Sequence, residues 1–225
     1  MIKISCIMAA YNEGPRIGEV LRVASTHPLI DEIIVVNDCS KDNTAEVISQ
    51  FKNVRLLTNE KNLGKNMAVY RAIKEAKGEF LFFLDADLVG LTADNITKLI
   101  EPVLNGVSDL SISLRRNAPN HFKKLGLDYL SGERVMKKSL IAGRIEDIPK
   151  LPRFGIETMM NWIIIENKCR VRVVSWPNVD SPFKFHKTTF WRGLWGEVKM
   201  NWNILRMLTP FGVIYQIVKI RGLRV

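Results

Sequence analysis

Residues Phe80–Asp87 read FLFFLDAD, five apolar side chains followed at once by two carboxylates one residue apart. The run Phe80–Leu84 is apolar on both faces, as a strand in the middle of a parallel sheet is, because helices cover such a strand on either side. Asp85 and Asp87 therefore emerge at the carboxyl end of a buried strand, the edge at which open α/β sheets bind their ligands. Two hard oxygen donors in that place suit Mg²⁺ or Mn²⁺ holding a diphosphate. A solvated turn or a helix cap is the plain alternative for an Asp-x-Asp pair, and the buried strand in front of it argues against that.

The flanking sequence repeats one alternation. Upstream, Ile2–Met8 reads as a first strand, Ile33–Val36 as a second and Val54–Leu57 as a third. Between them lie helix faces: Ile17, Val20, Leu21 and Ala24 after Pro15; Val47, Ile48 and Phe51; then Leu63, Met67, Tyr70, Ile73 and Ala76. Downstream, Ile96, Leu99, Ile100 and Val103 form a fourth face and Asp109–Leu114 a fifth strand. Four strand–helix units in a row predict an α/β protein with a mostly parallel, Rossmann-like sheet and helices on both faces. The stretch from Arg115 to Leu151 is polar, basic and broken by Gly and Pro. Met159–Ile165 then reads as helix and Val171–Val174 as strand.

The other strand ends carry groups fit for a nucleotide: Tyr11 and Glu13 after the first strand, Asp38 after the second, and Lys65 after the third. They supply an aromatic ring, carboxylates and a cation for phosphate. Ser40 and Asp42 read as turn and N-cap residues, since both precede a helix. No G-x-G-x-x-G follows the first strand and no P-loop is present, which argues against dinucleotide binding and nucleotide hydrolysis by those motifs. Phosphotransferases with an Asp-x-Asp nucleophile place it after the first strand; here it follows the fourth.

The motifs AAYNEG (9–14), VNDCSKDNT (36–44), NLGKNMA (62–68) and FLDAD (83–87), in this order and spacing, resemble a family 2 glycosyltransferase of the GT-A fold. The resemblance is strong over residues 1–115 and weaker through SGERVMKK (131–138) and FGIET (154–158). It implies a nucleotide-diphosphate-sugar donor contacted by Ala10, Tyr11, Glu13, Asp38, Lys65, Asp85 and Ala86. Tyr11 and Asp38 would lie near the base and Lys65 near the ribose or phosphates. Asp85 would face ribose and metal, and Asp87 would be the metal ligand. Three positions depart from the pattern: Ala10 replaces the usual Pro, Asn37 the usual first acid, and Val89 a polar ligand common in polyprenyl-phosphate sugar synthases. The last departure makes His186 the candidate third ligand beside Asp85 and Asp87, against the bland reading of a structural histidine. Glu157 is either a general base for a hydroxyl acceptor or a first-turn acid favoured by the helix dipole. Arg134, within the basic set Arg115, Arg116, Lys137 and Lys138, is either an acceptor-phosphate contact or surface charge.

At 225 residues the chain has room for one domain with an appendage, and its 47% hydrophobic and 25% charged content excludes a disordered or fibrous protein. The expected layout is a catalytic domain over 1–185, with a donor half (1–115) and an acceptor half (116–185), followed by a basic amphipathic segment over 186–225. Cys6, Cys39 and Cys169 lack metal-ligand spacing and read as core thiols. The net charge of +10 is concentrated late: Lys184–Val225 holds eight basic residues and one acid, Glu197. There, Trp191, Leu194, Trp195, Val198, Trp202 and Leu205 draw an apolar stripe opposite Arg192, Lys199, Asn203 and Arg206, either core or a membrane-interface face. An anionic membrane surface or polyprenyl phosphate is the expected partner. Nucleic acid is not, because the strand-end carboxylates would repel a phosphate backbone. No secretory h-region opens the chain, and Ile204–Ile220 is interrupted by Arg206, Pro210, Gln216 and Lys219. A cytoplasmic protein, peripheral on the inner face of the cell membrane, is the expectation.

Overall fold

The structure, a computed structural model, describes residues 3–152, 155–181 and 210–225. The strand–helix alternation runs β1 (Ile4–Ala10), α1 (Gly14–Ala24), β2 (Glu32–Asn37), α2 (Thr44–Ser49), β3 (Val54–Thr58), α3 (Lys65–Glu75), β4 (Phe80–Phe83), α4 (Ala93–Leu104) and β5 (Leu110–Arg115). The less regular half adds α5 (Asn120–Leu125), β6 (Arg134–Lys137), α6 (Lys138–Ile141) with a 3-10 stretch (Ala142–Lys150), α7 (Gly155–Glu166), β7 (Val171–Trp176) and α8 (Pro210–Gly222). Seven strands form one sheet in the order β3-β2-β1-β4-β6-β5-β7. Every pairing is parallel except the two made by β6, which runs against both β4 and β5.

The expected mostly parallel sheet is thus present, with one strand that no local pattern announces. β6 is only four residues long, flanked by charge, and its Val135 and Met136 are buried because β4 and β5 enclose them. Along β1 the period of two sorts the core: Ile4, Cys6, Met8 and Ala10 face α1 and α4, while Ile7 faces α3 and α7. The predicted faces of α1 and α4 are buried as read. That of α3 is met in part: Ile73 and Ala76 are buried as expected, together with Ala68, Val69 and Ala72, whereas Met67 and Tyr70 are half-buried and Leu63 lies exposed in the loop before Gly64. Gly64, at φ 88°, breaks the chain direction there, so helical counting cannot start at Leu63. Cys6 and Cys169 are core thiols, but Cys39 is only half-buried, on the β2–α2 loop at φ 60°.

Residues 210–225, expected to belong to an appendage, are packed on the body. Val171 of edge strand β7 donates to the Leu223 carbonyl at 2.9 Å and accepts from Val225 at 3.0 Å. The stripe from Trp191 to Leu205 and His186 lie outside the described residues. Among the described residues no helix is long and apolar enough to cross a membrane.

Candidate active site

β1 has β2 on one side and β4 on the other, so the crevice at the carboxyl ends of these strands is the topological switch point of the sheet. Backbone–side-chain bonds weld the first two loops there. Asn12, in the left-handed region at φ 55°, accepts from Lys41 N at 2.8 Å and donates its own N–H to Ser40 Oγ at 3.0 Å. Glu13 N donates to Thr44 Oγ1 at 2.9 Å and Gly14 N to Asp42 Oδ2 at 3.1 Å. Ser40 and Asp42 thus do the turn work expected of them. Tyr11, at the tip of this frame, is 44% exposed and presents its ring to solvent. Glu13 pairs with Arg16 at 2.6 Å. Ala10 and Ala86 are buried and could meet a ligand only through backbone.

Asp38 lies under the β3–α3 loop. It is buried, and its carboxylate accepts from Asn59 Nδ2 at 2.6 Å, Leu63 N at 2.9 Å and Gly64 N at 2.6 Å. These bonds shape the β3–α3 loop and leave a lone pair on Oδ2 for one further donor, such as a base N–H. That loop in turn aims Lys65, the first residue of α3.

Lys65 Nζ donates to Asp85 Oδ1 at 2.9 Å and to Glu157 Oε1 at 2.9 Å, joining residues from α3, the β4 loop and the first turn of α7. Burial opposes the charge of its ammonium, but Asp85 and then Glu157 outweigh it and hold the pKa above the ordinary lysine value. Burial likewise works against the Asp85 charge; Lys65 and then Arg115 overcome it, so Asp85 titrates below the usual carboxylate range. Asp87 goes the other way, pushed up by burial and then by the negative charges of Asp85 and Glu13. Its Oδ1 accepts from Ser181 Oγ at 3.3 Å. A pair of oxygen donors with negative charge in excess at one of them fits a hard divalent cation. Among the described residues no three His, Cys, Asp or Glu side chains gather to hold a metal, so Asp85 and Asp87 would be two ligands of a larger set.

Glu157 is 2% exposed; while Oε1 takes Lys65, Oε2 is buried without a hydrogen-bond partner. An orphaned buried acceptor of this kind costs about 1–3 kcal/mol, a penalty that a purely structural first-turn acid has no reason to carry.

Several residues of the site were not legible in the sequence. Because β6 returns antiparallel, with Arg134 opposite Phe83, the residues just before it fall beside Asp85. A Cβ on Gly132 would sit 2.6 Å from Asp85 Oδ2. Glu133, fully buried, accepts from Ser113 Oγ at 2.6 Å and Ser131 Oγ at 2.9 Å and pairs with Arg115 at 3.4 Å. Arg115 also pairs with Asp128 at 3.5 Å. The loop after Asp87 is pinned by the Val89–Asp180 bridge and by Gly90, at φ 80°, where a Cβ would strike the Asn178 carbonyl at 2.3 Å.

Arg134 corrects the reading of an acceptor contact or surface charge. It is 0% exposed, and its guanidinium donates to Ser131 O and Tyr129 O at 2.8 Å each and to Asn161 Oδ1 at 2.8 Å. Burial, outweighing Glu157 and the other nearby acids, pushes its pKa down to about 10. Arg134 binds α7 to β6 from inside the core and reaches no solvent-facing ligand.

Comparison with known proteins agrees with this geometry. The family model described as Glycosyl transferase family 2 matches residues 5–165. A dolichol-phosphate mannosyltransferase of Pyrococcus furiosus is 37% identical over 162 residues, covering 67% of this chain and 42% of that protein. A dolichyl-phosphate beta-glucosyltransferase of Trichomonas vaginalis is 42% identical over 94 residues, 36% of this chain and 28% of that one. The matches therefore span less than half the length of these two relatives. The glucosyl-3-phosphoglycerate synthase of Mycobacterium tuberculosis, solved with Mn²⁺, UDP-glucose and phosphoglyceric acid, superposes with a TM-score of 0.64 at 21% identity, covering 80% of this chain and 72% of that one. It shares the α/β fold, the GT-A arrangement expected from the motifs. With a family match over residues 5–165 and a strand-end Asp85–Asp87 pair in the crevice that fold provides, the chain belongs to glycosyl transferase family 2.

Proposed function

We propose that the protein transfers a sugar from a nucleotide-diphosphate-sugar donor to a phosphate-bearing acceptor, polyprenyl phosphate at a membrane surface in the first instance. The observation that carries this reading is the Lys65 bridge between Asp85 and Glu157, which gathers a phosphate-binding cation, a metal-binding carboxylate and a buried base candidate at the switch point. Residues 1–115 form the donor half and 116–185 the acceptor half, and the bridge spans the two.

Tyr11 packs on the base, Lys65 turns to the donor phosphates, and Asp85 meets the ribose. Asp85 and Asp87 hold Mg²⁺ or Mn²⁺, with His186 as a third ligand. His186 lies five residues after Ser181, whose hydroxyl already bonds Asp87, and a tether of that length reaches ~17 Å. When bound, the cation offsets the charge that grows on the departing nucleoside diphosphate. Glu157 Oε2 is the group able to take a proton from an attacking hydroxyl. A phosphate monoester, with a second pKa near ~6, is already ionised at neutral pH and leaves Glu157 a positioning role. The dolichol-phosphate and dolichyl-phosphate transferases among the relatives favour the lipid acceptor, and with it a peripheral place on the cytoplasmic face of the membrane. A soluble phosphorylated acid, like the phosphoglyceric acid bound to the mycobacterial synthase, is the second reading.

The test is Asp87→Ala assayed for donor hydrolysis and transfer. Turnover should fall by at least ~10³-fold with an unchanged melting temperature, since an electrostatic role of this kind is worth several kcal/mol. Turnover near the parent rate would overturn the mechanism.

A further inference from the structure

The two sides of α8 differ in partner but not in polarity. Gln216 and Ile220 are fully buried against the body; Gln216 accepts from Asn161 Nδ2 at 3.3 Å and donates to the Thr158 carbonyl at 3.5 Å. The opposite side carries Phe211, Ile214, Tyr215 and Val218 at i, i+3, i+4 and i+7, exposed by 83, 59, 45 and 62%. A surface helix of a globular protein puts polar residues there. Trp162 of α7 adjoins the patch, its ring centroid 5.9 Å from that of Tyr215, and it also lines a groove of about 420 Å³ with Leu151, Met159 and the paired Arg144 and Glu166. Four large apolar side chains exposed on one helix face mark an interaction site.

The charge around the patch selects the partner. Pro210–Val225 contains Lys219, Arg221 and Arg224 and no acid, and all three cations are exposed. A second copy of a chain of net charge +10 would bring the same basic rim against itself, whereas an anionic surface complements it. We infer that the exposed face of α8 is the surface by which the protein docks on an anionic lipid bilayer. Phe211, Ile214 and Val218 enter the acyl boundary, Tyr215 and Trp162 sit at headgroup depth, and Lys219 and Arg221 meet lipid phosphates. The inference deepens the proposed function and rests on it for the purpose of docking. Because Gln216 fastens α8 to the α7 turn that carries Glu157, the bound helix also fixes the height of the crevice above the membrane.

The experiment is co-sedimentation of the full chain with vesicles of 30% phosphatidylglycerol in phosphatidylcholine, against pure phosphatidylcholine. It compares the parent with F211S/I214S/V218S and with K219Q/R221Q. The parent should partition to the anionic vesicles and release at high salt, and each variant should bind at least about tenfold more weakly while melting as the parent does. Parent-like binding by the triple variant would overturn the inference, as would absence of binding by the parent. A parent dimer that becomes monomeric in the triple variant without vesicle binding, or a triple variant that melts early with vesicle binding intact, would give the face to another copy or to the chain itself and overturn it equally. Metal-dependent nucleotide binding, measured on the same samples, reports on the crevice alone, so loss of that signal would count against the proposed function and not against the docking face.

Discussion

At the scale of single residues, Lys65 sets the character of the crevice. By lying 2.9 Å from both Asp85 and Glu157 it keeps Asp85 ionised and leaves the excess of negative charge at Asp87. Gly132 shares that task sterically: a methyl group 2.6 Å from the Asp85 carboxylate must push either the loop or the aspartate. Gly132→Ala should lose about 1–3 kcal/mol of stability and weaken metal-dependent nucleotide binding, measurable by denaturant unfolding and titration calorimetry. Arg134 makes the complementary case. Arg134→Lys cannot replace three separately directed donors and should cost about 1–3 kcal/mol in unfolding free energy while leaving the acceptor KM unchanged. A raised KM in a fully stable variant would return Arg134 to the acceptor site.

At the scale of elements, what was legible followed local periodicity. FLFFL marks β4, and the faces of α1 and α4 are readable because their helices are long enough for the 3.6-residue repeat to show. Of the expected α3 face only Ile73 and Ala76 are buried, because Leu63 precedes Gly64, at φ 88°, and lies outside the helix. β6 leaves no trace in the pattern because four residues carry no period and its burial comes from neighbours distant in sequence. Glu133 and Gly132 become site residues only through that antiparallel return. The α4 element also makes a testable pH response. His27 Nε2 lies 3.2 Å from the Ala93 carbonyl and 3.0 Å from Thr97 Oγ1, while Nδ1 accepts from Leu29 N at 3.3 Å, a role the charged ring cannot keep. Burial, against the smaller opposing pull of the Ala93 carbonyl, lowers its pKa from 6.5. Below about 6.5 the unfolded chain then binds more protons than the folded one, so stability falls on acidification. The melting temperature should drop between pH 7 and pH 5, and by less in His27→Gln.

At the scale of the whole molecule, chain order makes the crevice. The crossover from edge strand β3 to β4, on the far side of β1, opens the switch point, and α3 and α7 bring Lys65 and Glu157, 92 positions apart, into contact across it. The sequence motifs mark the side proposed for the donor because its residues follow parallel strands one after another. The side proposed for the acceptor is built from α7 and the antiparallel β6, whose register no local pattern encodes. The central claim, a metal-dependent nucleotide-diphosphate site on Asp85 and Asp87, is tested most directly by thermal unfolding with UDP and GDP, with and without Mn²⁺, in the parent and in Asp87→Asn. One nucleotide at 100 times its dissociation constant should add about 2.7 kcal/mol to the parent, only with Mn²⁺, and much less to the variant. Stabilisation that is equal without metal and in Asp87→Asn, or absent with both nucleotides, would contradict the account.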